Sequence, residues 1–329
     1  HGIMRARDRI SPDSRSQLAP LVGRCLGSCM PSMRVVGSVA LATLHNSLGT
    51  HEKVVGGSAT YASVSGSFFT DVQLVGVVGQ DFPDSAIQML RDRKVELEGL
   101  EVAEGKTFHW EGRYTDDLTS RETLRTDLNV FADFAPKIPE QCKDSPYVML
   151  GNIHPALQLS VLDQVNSPKL VVADTMNFWI DGELDLLKQL IKRIDVLVIN
   201  EEEARQLSGK HHMVHVLEQL VKMGPKTLVV KQGEYGAILF TEDDLFSAPA
   251  LPLAAVDPTG AGDTFAGGFL GYIAKQGKHD TATLRSAVIH GSTMASFCCE
   301  GIGCEKLLPL TQANIDARIG EFRRLVDFS

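Results

Sequence analysis

The residues with the clearest chemical potential run Asp257-Pro258-Thr259-Gly260-Ala261-Gly262-Asp263 and lead directly into Thr264-Phe265-Ala266-Gly267-Gly268-Phe269-Leu270. Phe265, Phe269, Tyr272 and Ile273 recur at helical spacing, so a helix is expected to begin near Gly262 or Asp263. Gly260, Ala261 and Gly262 then fall at its first turn, where backbone N–H groups lack intrahelical partners and the helix dipole is positive. That combination suits an anion, most often a phosphate, and side chains no larger than methyl let the anion reach the backbone. A carboxylate at Asp263 is electrostatically out of place beside such an anion unless it takes a proton from an attacking hydroxyl. The plainer alternative is a tight turn with Asp263 as a helix cap.

Other candidates sit where short apolar runs end. Residues 147–151, Leu170–Asp174, Val196–Asn200 and Thr227–Lys231 read as strands, separated by helices over 157–165, 183–191, 202–207 and 214–223. This alternation predicts an α/β fold with a mainly parallel sheet covered on both faces. Ligands in such sheets bind beyond the C-terminal strand ends, which places Gly151-Asn152, Asp174, Asn200 and Lys231 around one site. Asn200 and Glu203 are also spaced as a capping box, and Gly233 and Gly236 after Lys231 read as a reversal between strands. A lone strand-end lysine is usually solvated, and Asp257 is spaced for a local turn bond. Nearer the start, 34–41 reads as one apolar strand, 42–53 as a hairpin or exposed strand pair, and Gly56-Gly57 as the approach to a helix. Residues 71–79 read as a buried strand, 85–93 as a helix, and 106–131 as polar-rich strands with one wet face. Helices are expected over 264–275, 282–298 and 312–326. Trp110 and Trp179 read as core or lid anchors, and His109 and His154 as surface or packing residues.

Net charge of −9 and a pI near 5.6 argue against nucleic acid or an anionic membrane as partner. No apolar run approaches the roughly 20 residues needed to span a bilayer. Cys25, Cys29, Cys142, Cys298, Cys299 and Cys304 lack the paired spacing of a zinc site and read as reduced thiols, which favours the cytoplasm. Residues 1–32 carry five Arg and neither Lys nor Glu, and read as a leader or appended segment ahead of Met33. No G-x-G-x-x-G follows the first strand, and no G-x-x-x-x-G-K-[ST] loop is present.

The stretch DPTGAGDTFAGGF, preceded in order by Gly56-Gly57, the VGVVG-x-DF passage, N-x-x-E at Asn200–Glu203 and K-x-G-x-x-G at Lys231–Gly236, resembles the ribokinase-like, or PfkB, carbohydrate kinases from Met33 onward. The resemblance implies a ribokinase-like three-layer sandwich with a central mainly parallel sheet and a small β lid, formed near 42–53 and 106–131. It implies transfer of the ATP γ-phosphate to a hydroxyl of a sugar or polyol, with Asp263 as base and Gly260, Ala261 and Gly262 stabilising the phosphoryl group. Asn200, Lys231, Gly233 and Gly236 would border the nucleotide, and Gly56, Gly57, Asn152 and Asp174 the acceptor. Glu203 would act on Mg²⁺ through water, while Asp257 and Thr259 match positions that hold a monovalent cation, K⁺, in several relatives. Lid strands that pair between subunits would give a homodimer. Two departures fall in the acceptor pocket: Ala42 stands where relatives place an Asp, and Tyr61 where they place an Asn. A nucleoside acceptor, or a catalytically quiet ligand-binding relative, are the alternatives.

Overall fold

In the computed structural model, residues 32–115, 117–118 and 120–327 are described; the expected leader segment, with Cys25 and Cys29, lies outside them. In chain order the elements are β1 (Met33–Val36), β2 (Ala40–Asn46), β3 (Gly49–Gly56), α1 (Ser58–Gly66), β4 (Val72–Gly79), α2 (Asp84–Asp92), β5 (Val95–Ala103), β6 (Phe108–Tyr114) and β7 (Arg121–Asp127). Then come β8 (Tyr147–Leu150), α3 (Pro155–Leu162), β9 (Leu170–Asp174), α4 (Asn177–Gly182), α5 (Leu184–Ile191), β10 (Val196–Asn200), α6 (Glu201–Ser208), α7 (Met213–Val221) and β11 (Thr227–Lys231). The chain closes with β12 (Ala237–Thr241), β13 (Leu245–Ala248), α8 (Ala261–Gln276), α9 (Thr281–Cys299) and α10 (Gln312–Val326).

Nine strands form one sheet in the order β13-β12-β11-β10-β9-β8-β1-β4-β5, parallel except where β12 pairs antiparallel with its two neighbours. Side chains alternate across each strand, so each strand feeds two cores. Val35, Met149, Val172, Val198 and Val229 point into one core with α1, α2, α8, α9 and α10. Val36, Leu150, Ala173, Ile199 and Val230 point into the other with α3, α5, α6 and α7. The result is the expected three-layer α/β sandwich. A second sheet, β3-β2-β6-β7, is the lid. No described helix is long and apolar enough to cross a membrane.

The expected boundaries shift where one apolar run serves two sheets. The 34–41 strand is in fact two: β1 ends at Val36, and β2 starts the lid at Ala40. The break lies where Gly37 and Ser38 meet the start of α1. A Cβ on Gly37 would stand 2.5 Å from Ser58 Oγ, the Ser58 amide donates to Ser38 Oγ at 3.0 Å, and the Ala59 amide donates to the Ser38 carbonyl at 2.9 Å. The lid therefore spans 40–56 and 108–127. Between α2 and the lid, β5 is a nine-residue edge strand. Helix α4, absent from the sequence reading, is a short insertion after β9.

Helices α1 and α8 bring the Gly56-Gly57 turn and the Gly260–Gly262 turn together, and small residues allow it. A Cβ on Gly267 would collide with the Ala62 carbonyl and lie 2.6 Å from Ala62 Cα, backbone that cannot move aside. Replacing Gly267 by alanine should therefore lower the thermal melting temperature by roughly 3–8 °C, from about 1–3 kcal/mol of overpacking; an unchanged melting curve would mean α1 and α8 are not in this close contact.

Candidate active site

Helix α8 begins at Ala261, one residue before the expected start, with Gly260 as its N-cap at φ 77°. That left-handed conformation suits glycine, and a second constraint acts there: a Cβ on Gly260 would strike the ring of Tyr61. The left-handed residue folds a turn in which the Ala261 amide donates to the Pro258 carbonyl at 3.1 Å. Ala261 is therefore not one of the free donors, a correction to the expected set. Among the described residues, the amides of Gly260, Gly262 and Asp263 have no partner within the protein. Asp263 makes no capping bond either, so the plain cap does not account for it.

Strand-end side chains converge on this helix start. Lys231, at the end of β11, is partly buried, not solvated, and its Nζ donates to Asp174 Oδ2 at 3.2 Å. The same ammonium would stand 2.8 Å from a Cβ on Gly262, so the glycine makes room for a cation at the anion cradle. Asp174, at the end of β9, is buried. It therefore lies beside Lys231 and the start of α8. Asn200 and Glu203 form the full capping box of α6: the Glu203 amide donates to Asn200 Oδ1 at 2.8 Å, and the Asn200 amide donates to Glu203 Oε2 at 3.1 Å.

Three carboxylates thus face one ammonium. Burial, then the charge of Asp174, pushes Asp263 up to about 7, against the pull of Lys231 and Arg121. Glu203 is raised to about 7 by burial and by Asp174, with Lys231, the Asn200 amide and Arg121 opposing. Burial works against the Lys231 ammonium, but Asp174, Glu203 and Asp263 outweigh it and hold its pKa above the ordinary value. A proton acceptor poised near neutrality, beside free amides and a lysine, can deprotonate a hydroxyl and hold a phosphate.

The other candidate residues frame this centre. Gly233 and Gly236 turn the chain after β11, with the Gln232 amide donating to the Gly236 carbonyl at 2.8 Å. Gly57, at φ 95°, lies against the backbone of Ser38 and Val39, and Gly56 lies 3.4 Å below the Tyr61 ring as measured from a Cβ built there. Asn152 Oδ1 accepts from the Trp179 indole at 2.8 Å, so Trp179 anchors a strand-end loop. Asp257 Oδ1 accepts from the amide and hydroxyl of Thr259, at 3.0 and 2.7 Å. Both the expected turn bond and a free oxygen are present, because Asp257 Oδ2 is buried without a hydrogen-bond partner.

Sequence reasoning missed how the lid grips this loop. Asn46 donates to the Val256 carbonyl at 3.3 Å, the hydroxyls of Tyr114 and Thr259 are hydrogen-bonded at 3.0 Å, and the His51 ring comes near enough to act on the charge of Asp257. The register pairs Ala42 with Trp110, Leu44 with Gly112 and Tyr114 with Arg121. Paired residues share a face, so Ala42, Trp110, Tyr114 and Arg121 look toward the site. Strand parity could have grouped them; the hydroxyl contact across 145 residues had no local signal.

The pfkB family carbohydrate kinase model matches residues 24–310. The chain is 29% identical over 247 residues to the cytidine kinase of Thermococcus kodakarensis, covering 73% of this chain and 88% of that one. The nucleoside kinase structure from Methanocaldococcus jannaschii superposes with a TM-score of 0.72 at 22% identity, over 90% of this chain and 100% of its own. The fructokinase of Vibrio cholerae O395, solved with fructose, ADP and calcium ion, superposes with a TM-score of 0.70 at 21% identity, over 88% and 99%. A match across this much of the sequence, on the same sandwich and lid, is decisive: the chain belongs to the pfkB family of carbohydrate kinases.

Proposed function

We propose that this ATP-dependent kinase phosphorylates a hydroxyl of a nucleoside, with a sugar or polyol as the alternative acceptor. The observation that carries the reaction is the convergence of Asp263, Lys231 and the free amides of Gly260, Gly262 and Asp263 at the start of α8. Asp263 takes the proton of the acceptor hydroxyl. The amides and Lys231 receive the negative charge of the transferring phosphoryl group. Asn200, Lys231, Gly233 and Gly236 border the nucleotide, and Gly56, Gly57 and Asn152 the acceptor.

Mg²⁺, when bound with ATP, neutralises charge on the phosphates. Among the described residues no group of three side chains forms a ready-made metal cage, and the buried Glu203 carboxylate suits an ion that keeps its water shell. A monovalent cation fits beside Asp257, whose buried Oδ2 lacks a partner and whose neighbour Thr259 fixes the other oxygen. The four described cysteines are free thiols, in keeping with a cytoplasmic protein, and the exposed strand β7 offers a lid edge for a homodimer.

The acceptor wall favours the nucleoside. Ala42 is small and apolar and pairs with Trp110, whose ring lies over Gly112 on the face toward the site. An aromatic face without a carboxylate suits a base or an apolar ring surface better than a fully hydroxylated sugar. The likeness to the cytidine kinase points the same way. A competitive panel of cytidine, adenosine, ribose, fructose and inositol should show the highest kcat/KM for a nucleoside; a preference for fructose or ribose would move the acceptor to the sugars.

Three further outcomes test the roles. Asp263→Asn should lower kcat by roughly a thousandfold or more while Mg·ADP binding is kept, since only the proton acceptor is lost. The same variant should be the more stable protein above neutrality. A folded pKa of about 7 for Asp263 means the folded state holds a proton that the unfolded chain releases near pH 4. Stability is therefore highest at low pH and falls as pH rises to about 7. At pH 8 the variant should melt roughly 2–4 °C higher, and at pH 4 the two should coincide. Finally, replacing K⁺ by Li⁺ should slow the wild type several-fold but leave Asp257→Ala unaffected; equal responses would remove the cation from Asp257.

A further inference from the structure

We propose that Trp179, on the inserted helix α4, is a positioning residue that sets acceptor specificity. Its indole holds the Asn152 side chain so that only the two amide N–H groups are left for the acceptor molecule. The inference rests on the kinase reading above, with Asn152 at the acceptor, and names the chemistry by which that molecule is read.

The donors and acceptors of the two side chains fix the orientation. An indole nitrogen only donates, whereas an asparagine amide has one end that accepts and one that donates. Trp179 Nε1 donates to Asn152 Oδ1 at 2.8 Å, so Oδ1 faces the indole and Nδ2 faces away. Turning the amide over would set N–H against N–H. Asn152 is half-buried, and among the described residues its Nδ2 has no protein partner. Those two hydrogens are free for a ligand.

The loop carrying Asn152 lies between the parts of the site described above. The Gly151 amide donates to the Val36 carbonyl at 2.7 Å, and a Cβ on Gly151 would stand 2.7 Å from Ser58 Oγ, beside the Gly56-Gly57 turn. The buried Gln158 side chain donates to the Gly151 carbonyl at 2.9 Å and to the Asp174 carbonyl at 3.1 Å, which ties the loop to the carboxylate cluster. Trp179 is braced as firmly. Ile180 is buried in the core under α4, and the His154 ring meets the indole edge-on at 5.1 Å between centres. His154 is itself held, with Nδ1 accepting from the Ala156 amide at 3.1 Å and Nε2 standing 3.5 Å from Glu183 Oε1.

The six-residue helix α4 thus carries one N–H to one amide oxygen. An unrestrained asparagine offers a ligand either end of its amide. Fixed in this way, Asn152 selects a ligand atom with a free lone pair and leaves a ligand N–H pointed at it unpaired, which costs affinity. A ribose oxygen or a base carbonyl of a nucleoside meets that requirement.

The test compares wild type, Trp179→Phe, which keeps an aromatic ring and removes the N–H, Asn152→Ala, and the double variant. KM and kcat for cytidine and adenosine are read beside the Kd for Mg·ADP, and melting curves establish that each protein is folded at the assay temperature. Trp179→Phe should raise the nucleoside KM roughly three- to tenfold, with kcat within about twofold of wild type and Mg·ADP affinity unchanged. Asn152→Ala should raise KM at least as much, and adding Trp179→Phe to it should change KM no further, because the indole acts through that amide. A shift with both nucleosides assigns the bond to a ribose oxygen, and a shift with cytidine alone assigns it to the base carbonyl that adenine lacks. An unchanged KM in Trp179→Phe, a loss confined to kcat, or a full further rise on top of Asn152→Ala overturns the proposal. Failure of the nucleoside reading would look different: wild type would turn over a sugar and neither nucleoside, and the same four proteins read on that sugar would still show whether Trp179 acts through Asn152.

Discussion

The structure depends on like charges forced together at the start of one helix. Asp174, Glu203 and Asp263 come from three separate elements, β9, α6 and α8, and meet around Lys231. Carboxylates brought this close in a partly dry cleft repel and are poorly solvated, which is why Asp263 and Glu203 are raised toward neutrality. No local propensity would assemble such a group. The two cores on either face of the sheet, filled from alternate positions of the same strands, hold the strand ends at fixed spacing and impose it. The fold's stability is thus used where the site is least stable.

Tyr61 shows how closely the di-glycine turn and the start of α8 are linked. Its ring is buried between Gly56 and Gly260, so the same side chain touches the di-glycine turn and the N-cap of α8. Burial raises its phenol well above the ordinary value, reinforced by Cys304, Cys298, Asp257 and Asp263, and the hydroxyl has no hydrogen-bond partner. A neutral phenol wedged there makes the position of α8 depend on that of α1. A small amide at this position would leave the glycine of the N-cap free of that contact. The glycine at 260 is therefore doubly required, by its left-handed backbone and by the tyrosine above it.

Much of this was legible in the sequence, for physical reasons that differ by element. Strands β9 to β11 were readable residue by residue and β8 to within one residue, because parallel strands buried on both faces are short apolar runs bounded by turns. The start of α8 was readable to one residue, from the periodicity of its apolar face. The break at Gly37 was not, because an uninterrupted apolar run continues while the chain passes from one sheet to another; only the contact with Ser58 ends the strand. Lys231 illustrates the limit of local reasoning. A strand-end lysine is ordinarily solvated, and its burial here follows from carboxylates 57 and 32 residues away. The role of Gly262 as room for that lysine, and the loss of the Ala261 amide to Pro258, likewise depend on geometry that composition does not encode.

The lid completes the same electrostatic logic from outside the sandwich. Contacts from β2, β3 and β6 all fall on Val256–Thr259, the four residues leading to the helix start. A small sheet attached to the sandwich through β2 and β3 could rest anywhere along the cleft; it rests on the segment whose geometry sets the free amides. The lid is therefore anchored on the segment that leads to the helix N-terminus, and the charge of Arg121 acts on the carboxylates gathered there. A hydroxyl and a phosphate can then meet in a space where neither has bulk solvent to compete with.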